Sequence, residues 1–224
     1  TIVGQENLKL YIIEFYKQLF GPPDINCVSL DESRVEDVPQ LTVVENDVLT
    51  APFTEKEVFD AVSQMETNKA PGPDGFPAEF YKKCWFIIKG DLLPLFHDLF
   101  AGQLHLFQLN FGTITLLPKK AEAVRIEQFR PICLLNVSFK IFTKVGTNRL
   151  SQITHAVVQP TQTAFMPDRN ILEGVVVLHE TRHEIHTKKL DGVVFKVDFE
   201  KAYDKVKWPF LQQALHMKGF DEAW

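Results

Sequence analysis

Apolar positions near the amino terminus recur every three to four residues, at Leu8, Ile12, Phe15 and Leu19, which predicts a first helix. The sequence Gly21-Pro22-Pro23 is predicted to end that helix. A second helix is predicted to begin after Thr54, because Thr54 and Glu57 have the spacing of a capping box. The acidic stretch 24–52 lacks such a periodicity, and we interpret it as an irregular linker.

Helical spacing returns several times in the rest of the chain. Pro77 suits the first turn of a helix that continues to Ile87, and residues 91–100 form a further helical stretch. Longer helices are predicted over about 136–153 and over 170–188. Pro209 is predicted to open a last helix, which closes at Gly219.

Strand patterns are fewer. Residues 113–117 alternate between apolar and polar positions, and residues 131–135 form a second short strand. The segment 192–198 has bulky residues on both faces, which predicts a strand in the centre of a sheet. The segment 68–75 holds two prolines and two glycines within five residues and is predicted to be a shaped loop. The mixture predicts an α+β fold rather than a regular βαβ array.

Composition narrows the classes of protein. The chain has 224 residues, 45% of them hydrophobic, and its 19 Phe residues provide for a sizeable core. Neither an apolar run of membrane-spanning length nor a secretion signal is present. The three cysteines form no CxxC pair, which favours a reducing compartment and buried thiols. Because the sequence starts at Thr1 and stops at Trp224 just after a helical pattern, we expect it to be a piece of a longer protein.

Charge is distributed unevenly along the chain. The net charge is −5, and residues 1–67 carry 4 Lys or Arg against 13 Asp or Glu. Residues 112–169 carry 8 against 3. An acidic chain therefore has a basic middle, to which a polyanion could bind, although a solvated surface with uneven charge explains the same counts.

Asp198 is the leading candidate for chemistry. It falls at the carboxyl end of the predicted central strand, where an unpaired carboxylate is costly to bury and a divalent cation would offset that cost. Position alone favours a simpler explanation, in which Asp198 is a helix cap or forms an ion pair with Lys201 or Lys205.

Several motifs in order then resemble the reverse transcriptases of LINE-type, non-LTR retrotransposons, most closely the plant members. The first catalytic motif of that family resembles residues 197–206, Val-Asp-Phe-Glu-Lys-Ala-Tyr-Asp-Lys-Val. The other matching segments are Lys69-Ala70-Pro71-Gly72-Pro73-Asp74-Gly75-Phe76, Leu116-Leu117-Pro118-Lys119-Lys120, Phe129-Arg130-Pro131-Ile132, Asn148-Arg149-Leu150 and Gln162-Thr163-Ala164-Phe165-Met166-Pro167-Asp168-Arg169.

This resemblance implies a right-hand polymerase fold, of which the chain would hold the fingers and an incomplete palm. It implies two-metal nucleotidyl transfer, with Asp198 bridging two Mg²⁺ ions and the backbone carbonyl of Phe199 as a further ligand. Tyr203 would lie beneath the sugar of the incoming dNTP. Lys119 and Arg130 would grip its triphosphate, for which Lys supplies a point charge and Arg planar bidentate contacts.

The resemblance also implies that Gln162 and Arg169 lie near the RNA template and the DNA primer. One departure concerns Asp168, which stands where the family usually has Gly. A carboxylate there would repel phosphate, and the loss of Gly is expected to strain a turn.

The resemblance divides the chain into residues 1–67, an acidic helical and linker region, 68–190, the fingers and fingers–palm connection, and 191–224, a truncated first palm segment. The family's Phe/Tyr-Ala-Asp-Asp hairpin is absent from this sequence and is expected beyond Trp224, with the rest of the palm and the thumb. Asp198 alone does not hold two metals in catalytic geometry, so we expect this chain by itself to be inactive. The family implies a location in the nucleus or cytoplasm and no membrane partner.

Two other functions remain open at this point. His179-Glu180-Thr181-Arg182-His183 fits the H-E-x-x-H pattern of zinc metallopeptidases on a predicted helix, although the usual extension with a third His does not follow. A partly buried helix face explains the same residues. The chain is alternatively a non-catalytic retroelement remnant that binds nucleic acid weakly through its basic middle.

Overall fold

The computed structural model describes residues 2–21, 29–33, 38–198 and 206–224, with the side chain of Gln108 excepted. The chain divides into two compact units, one made of residues 1–47 and 153–224 and the other of residues 48–152. The described helices are α1 (Gln5–Leu19), α2 (Val43–Thr50), α3 (Glu55–Gln64), α4 (Ala78–Lys83), α5 (Trp85–Phe100), α6 (Leu106–Leu109), α7 (Val137–Val157), α8 (Ile171–Thr187) and α9 (Trp208–Met217), and the strands are β1 (Gly112–Pro118) and β2 (Phe129–Leu135).

The unit 48–152 is built around one apolar core, to which α3, α4, α5 and α7 contribute. The capping box predicted for α3 is confirmed: the Thr54 side chain accepts a hydrogen bond from the Glu57 backbone, and the Glu57 carboxylate accepts one from the Thr54 backbone. Helical spacing then directs one face of each helix inward. The buried core residues are Val58, Ala61, Val62, Ala78, Trp85, Leu92, Phe96, Val137, Ile141, Phe142 and Val145.

β1 and β2 pair in antiparallel fashion, and within the described residues they form the one sheet. The register places Leu117 opposite Arg130 and Gly112 opposite Leu135. The turn between the strands is stiffened by the Gln128 side chain, whose Oε1 accepts hydrogen bonds from the backbones of Val124 and Arg125. Both strands predicted in the middle of the chain are thereby confirmed, each slightly longer than expected.

The loop 68–76 packs against the junction between β2 and α7. The Gly75 backbone N–H donates to the Gly72 carbonyl (3.0 Å), which closes a tight turn with Gly75 at a φ of 76°. The Asp74 backbone N–H donates to Asn136 Oδ1 (3.2 Å), immediately before α7. A Cβ on Gly72 would lie 2.5 Å from the Leu135 carbonyl carbon and closer still to the Asn136 backbone nitrogen.

Replacing Gly72 by Ala is therefore expected to destabilise the unit 48–152 by about 1–3 kcal/mol, because the added methyl group meets backbone that has to shift. Gly90, inside α5, is the matched control, since a Cβ there meets nothing within 4 Å. Gly90→Ala should stabilise the helix by about 0.5–1 kcal/mol. Urea unfolding monitored by circular dichroism measures both, and equal effects of the two substitutions would contradict the packing described for Gly72.

The other unit joins residues far apart in sequence. The Leu41 backbone donates to the Lys218 carbonyl (2.9 Å), just after α9, and Asn46 Nδ2 donates to the Gly219 carbonyl (2.7 Å). The Asp221 backbone donates in return to Asn46 Oδ1 (2.9 Å). Gly219 has the positive φ of 74° that ends α9, as its sequence position predicted.

The segment 191–198 differs from its sequence prediction. It has no regular secondary structure, and its apolar side chains are exposed, Phe195 at 84% and Val193 at 77%. The prediction of a buried central strand is therefore wrong for this chain. The reason is physical: a strand needs a backbone partner, and among the described residues β1 and β2 pair only with each other.

Other sequence predictions are confirmed or corrected in detail. α1, α3, α7, α8 and α9 occur where the apolar spacing placed them. α2 was missed, because its own capping pair was overlooked within a stretch interpreted as a linker: Thr42 donates to the Glu45 carboxylate and accepts from the Glu45 backbone. Cys133 is exposed, so the expectation of buried thiols is wrong for that residue.

Among the residues that the structure describes, no helix has both the length and the apolarity required to cross a bilayer. The three-part division at residues 67 and 190 follows sequence motifs and stays a prediction, since the two compact units are defined by contacts instead.

Candidate functional site

Lys119 and Arg130 are brought together by the β hairpin. Arg130 pairs with Leu117, and the Lys119 backbone continues the ladder by donating to the Gln128 carbonyl (2.8 Å). Side chains two residues apart on a strand share a face, so Lys119 and Arg130 lie on the same face of the hairpin. Both are exposed.

The two cations differ in how they are held. Lys119 Nζ donates to the Glu127 carbonyl (2.8 Å), which fixes its ammonium group at the turn end of the hairpin. Arg130 has no ion pair within the described part of the chain, and its guanidinium is open to an external anion. The nearby Arg125 pairs instead with Glu127 (3.4 Å), so that carboxylate of the turn is already engaged. The hairpin thus presents positive charge on one face, without a carboxylate committed to Arg130.

Arg149 stands in one of the motifs quoted above, but the sequence did not indicate its structural role. It is buried, at 3% exposure, and its five N–H donors are all used. Nε and Nη2 donate to the two carboxylate oxygens of Glu57 (2.7 and 3.1 Å). The remaining bonds go to the carbonyls of Leu49 (2.8 Å), Ala51 (2.5 Å) and Pro52 (3.0 Å).

The Arg149 guanidinium also lies 4.3 Å from the centre of the Phe53 ring, a cation–π contact. Hydrogen bonding from Arg149 is the largest cause that lowers the pKa of the Glu57 carboxyl below its ordinary value. Through these contacts one residue of α7 fixes the bend before α3 and the start of that helix. This is the same α7 whose first turn receives the loop 68–76.

Gln162 and Arg169 are brought together in the loop between α7 and α8. Arg169 Nη1 donates to the carbonyls of Gln159 (2.6 Å) and Gln162 (2.8 Å), and Nη2 donates to that of Val158 (3.1 Å). Gln162 Nε2 donates to the Ala164 carbonyl (3.2 Å). Arg169 therefore acts first as a cross-link of this loop, a role that no sequence motif indicates.

The same loop holds two residues other than glycine at positive φ. Asp168 has a φ of 56°, a region that glycine adopts without a steric cost, so the expected strain in the turn is confirmed. Phe165 has a φ of 62°, which no sequence feature had indicated.

Asp198 is the last described residue before a gap, and it is exposed in the irregular segment 191–198. Phe199 and Tyr203, to which the resemblance assigns a metal ligand and a sugar contact, lie outside the described residues. In the described ranges no three His, Cys, Asp or Glu side chains converge on a point where a metal ion could bind. Asp198 is a suitable oxygen ligand for Mg²⁺, but these residues do not complete a site around it.

The H-E-x-x-H residues are exposed on α8. His179 and His183 are one turn apart, and the His183 ring nitrogen Nε2 lies 3.5 Å from Thr187 Oγ1. Among the residues that the structure describes, no third His, Cys, Asp or Glu converges with these two histidines on a possible metal position. The expectation of partly buried histidines on this face is wrong, since His179 and His183 are both exposed.

Comparison with known proteins relates the carboxy-terminal half of the chain to a known family. Residues 117–224 match the family described as reverse transcriptase (RNA-dependent DNA polymerase). That segment contains Lys119, Arg130, Gln162, Arg169 and Asp198. The segment 117–224 therefore belongs to the reverse transcriptase family.

Individual relatives narrow the class. The chain is 30% identical over 207 residues to an uncharacterized 149 kDa protein of the transposon TX1 from Xenopus laevis, a match that covers 92% of the chain and 16% of the relative. It is 25% identical over 155 residues to a retrovirus-related Pol polyprotein of the type-1 retrotransposable element R1 from Bradysia coprophila, covering 68% of the chain and 15% of the relative. It is 26% identical over 162 residues to the corresponding polyprotein of element R2 from Nasonia vitripennis, covering 71% and 15%.

The resemblance to reverse transcriptases of non-LTR retrotransposons is thereby confirmed, and its plant-like character stays a prediction. The chain spans only about 16% of the length of the TX1 protein, although the match covers most of the chain.

Proposed function

We propose that the chain is the fingers and first palm segment of an RNA-directed DNA polymerase that copies the RNA of a non-LTR retrotransposon. The observation that carries this proposal is the set of motifs in family order, of which the part from residue 117 onward matches the reverse transcriptase family. In this proposal an RNA template, a DNA primer and dNTPs are the partners of the complete protein. The palm remainder and the thumb belong to sequence that follows residue 224 in the parent.

The hairpin face is the proposed binding site for the dNTP triphosphate. Support comes from the shared face of Lys119 and Arg130 and from the freedom of the Arg130 guanidinium among the described residues. A planar guanidinium donates two parallel hydrogen bonds to phosphate oxygens, whereas an ammonium group acts as a point charge. Arg130 would orient the triphosphate, and Lys119, held at the Glu127 carbonyl, would add charge at the end of the strand.

Asp198, with the Phe199 carbonyl, is the proposed contribution of this chain to a site for two Mg²⁺ ions. When bound, such ions stabilise the charge that develops during nucleotidyl transfer. The carboxylates of the Phe/Tyr-Ala-Asp-Asp hairpin, which this sequence lacks, would complete the ligand set. Tyr203 is proposed to contact the sugar of the incoming nucleotide.

Gln162 and Arg169 are proposed to shape the loop that faces the template and primer. Arg169 uses its guanidinium on three backbone carbonyls, which supports a role in holding the loop rather than in reading bases. The Gln162 carbonyl is one of those acceptors, so the two residues would act as a unit.

The experiment is primer extension on an RNA template by the parent protein, restored through the reading frame beyond residue 224. Arg130→Lys is expected to raise the KM for dNTP about tenfold, the loss of one charge-assisted hydrogen bond, with a smaller effect on kcat. Arg125→Lys is the matched control, because Arg125 lies in the same hairpin but is paired with Glu127, and it should leave KM within about twofold.

Equal KM values for the two lysine variants would contradict the proposed triphosphate site. The unextended 224-residue chain should show no primer extension. A parent protein that binds RNA but never extends a primer would favour the non-catalytic remnant instead.

A further inference from the structure

Phe165 is held in an unfavourable backbone conformation, and no contact of its side chain with the described residues offsets the cost. Its side chain is fully exposed, at 104% of the reference area, so the ring buries no surface. Its φ of 62° lies in the left-handed region, which costs an ordinary residue about 1–2 kcal/mol. Residues held in such conformations by their surroundings are concentrated at binding and catalytic sites.

The loop around Phe165 is rigidly built, so the exposure of the ring is fixed by structure. Arg169 ties the loop to the carbonyls of Val158, Gln159 and Gln162. The Asn170 side chain accepts a hydrogen bond from the Leu172 backbone (2.9 Å) and so fixes the point where the loop enters α8. The ring of Phe165 is therefore presented to solvent by a cross-linked frame.

Positively charged groups and an open surface depression lie at the same loop as the Phe165 ring. Lys218 Nζ donates to the Val157 carbonyl (2.7 Å), and Arg169 Nη2 donates to the carbonyl of the next residue, Val158. Two positive side chains thus meet the end of α7 from which this loop begins. A surface depression of about 510 Å³, open to solvent and lined by Phe165, Asp168 and Arg169 among others, lies at the loop.

We propose that Phe165 is a stacking platform for a base of single-stranded nucleic acid, with Arg169 and Lys218 attracting the adjoining phosphates. This inference rests on the proposed function, because a template strand supplies such a ligand. An aromatic face beside positive charge is the combination by which proteins bind single strands without reading their sequence. Phe165 is therefore a binding residue additional to Gln162 and Arg169, which hold the frame.

The combination favours a nucleic acid over a protein partner. This surface depression is lined by a carboxylate, a guanidinium and an aromatic ring. A nucleic-acid base suits such a lining, because its edges carry hydrogen-bond donors and acceptors and its face is a π-system. The Asp168 carboxylate would repel a phosphate, but it can accept a hydrogen bond from a base amino group, whereas an apolar protein segment offers it no donor.

The test uses the 224-residue chain and a labelled oligoadenylate RNA of about 12 nucleotides, within the usual site size for single strands, at low salt. Fluorescence anisotropy gives the dissociation constant. Phe165→Ala is expected to weaken binding about five- to a hundredfold, the range for loss of one stacked base, and Phe165→Trp should bind at least as well as the original chain. Phe107→Ala is the matched control, since Phe107 is exposed at 90% in the other unit, and it should leave binding unchanged.

Two further measurements separate stacking from folding. Phe165→Gly should weaken binding as Phe165→Ala does while keeping or raising the Tm, because Gly accepts the positive φ without strain. An abasic strand of the same length should bind the original chain and Phe165→Ala equally.

The proposal is overturned if Phe165→Ala and Phe107→Ala bind the RNA equally, or if the original chain binds no single-stranded RNA. None of these outcomes depends on primer extension. A polymerase that extends primers normally after Phe165→Ala would leave the proposed function intact and overturn the stacking role alone.

Discussion

Asp198→Asn in the parent protein is expected to lower the rate of RNA-templated primer extension by about a thousandfold or more. The amide keeps the size of the carboxylate but loses its charge, and the metal-dependent stabilisation of the transition state is worth several kcal/mol, each 1.36 kcal/mol being tenfold in rate. Single-turnover extension at saturating Mg²⁺ and dNTP measures the chemical step directly.

Asp191→Asn provides the matched control for that experiment. Asp191 is a second exposed carboxylate in the same irregular segment 191–198, outside the matched motif. Its replacement should leave the extension rate within about twofold, as is usual for surface substitutions of this kind. Activity above one tenth of the original in Asp198→Asn would contradict the assignment of Asp198 as a metal ligand.

Arg149→Ala is expected to destabilise the unit 48–152 by about 2–4 kcal/mol, because the buried guanidinium satisfies several backbone carbonyls and pairs with Glu57, whose side chain is 33% exposed. The substitution leaves three backbone carbonyls without the donor that satisfies them here, and it removes two of the hydrogen bonds that the Glu57 carboxylate accepts. Because the chain has two units, amide hydrogen exchange in α3 and α7 localises the loss better than a single global melting curve.

The control for Arg149→Ala is an exposed ion pair of the same unit. Lys89 contacts Glu55 at 2.8 Å, with side chains 36% and 52% exposed, and Lys89→Ala should cost no more than about 1 kcal/mol. Arg149→Met combined with Glu57→Gln should be more stable than Arg149→Met alone, since the double variant leaves no unpaired charge. Equal protection of the α3 amides against hydrogen exchange in Arg149→Ala and Lys89→Ala would contradict the described role of Arg149.

The Arg149 contribution should also depend on pH in a definite direction. The pKa of Glu57 is lowered in the folded chain, chiefly by the hydrogen bonds from Arg149, from an ordinary value of 4.5. A lowered folded-state pKa contributes stability that is fully present above the unfolded-state pKa and is lost as the pH falls through the folded-state value. The stability difference between the original chain and Arg149→Ala should therefore shrink on acidification below about pH 4.5.

Local signals in the sequence predicted most of the elements. Capping residues and apolar spacing located α3, α8 and α9, because those signals act within one or two helical turns. The strand prediction for 192–198 failed, since strand formation depends on a partner that the segment itself does not specify. Bulky apolar residues on both faces indicated that the segment needs packing on both sides to be buried. The described fold provides no such packing, and these side chains are exposed.

For the candidate site, the motifs gave residue types and order but not the contacts. Lys119 and Arg130 could be placed on adjacent strands, and the register then put them on one face. The five-donor arrangement of Arg149 joins residues about 100 positions apart, which spacing does not reveal. The positive φ at Phe165 is likewise a property of the folded loop, because Phe has no preference for that region.

The hydrogen bonds between Asn46 and residues 219–221 have a consequence for synthesis on the ribosome. The unit 48–152 is one continuous stretch of chain, whereas Asn46 has to wait for Asp221, 175 residues later. At about 5–20 residues per second, that wait lasts about 9–35 s. During translation the nested unit therefore has time to fold while the amino-terminal residues are still without their carboxy-terminal partners, an interval in which a chaperone or a nascent-chain binding factor has access to them.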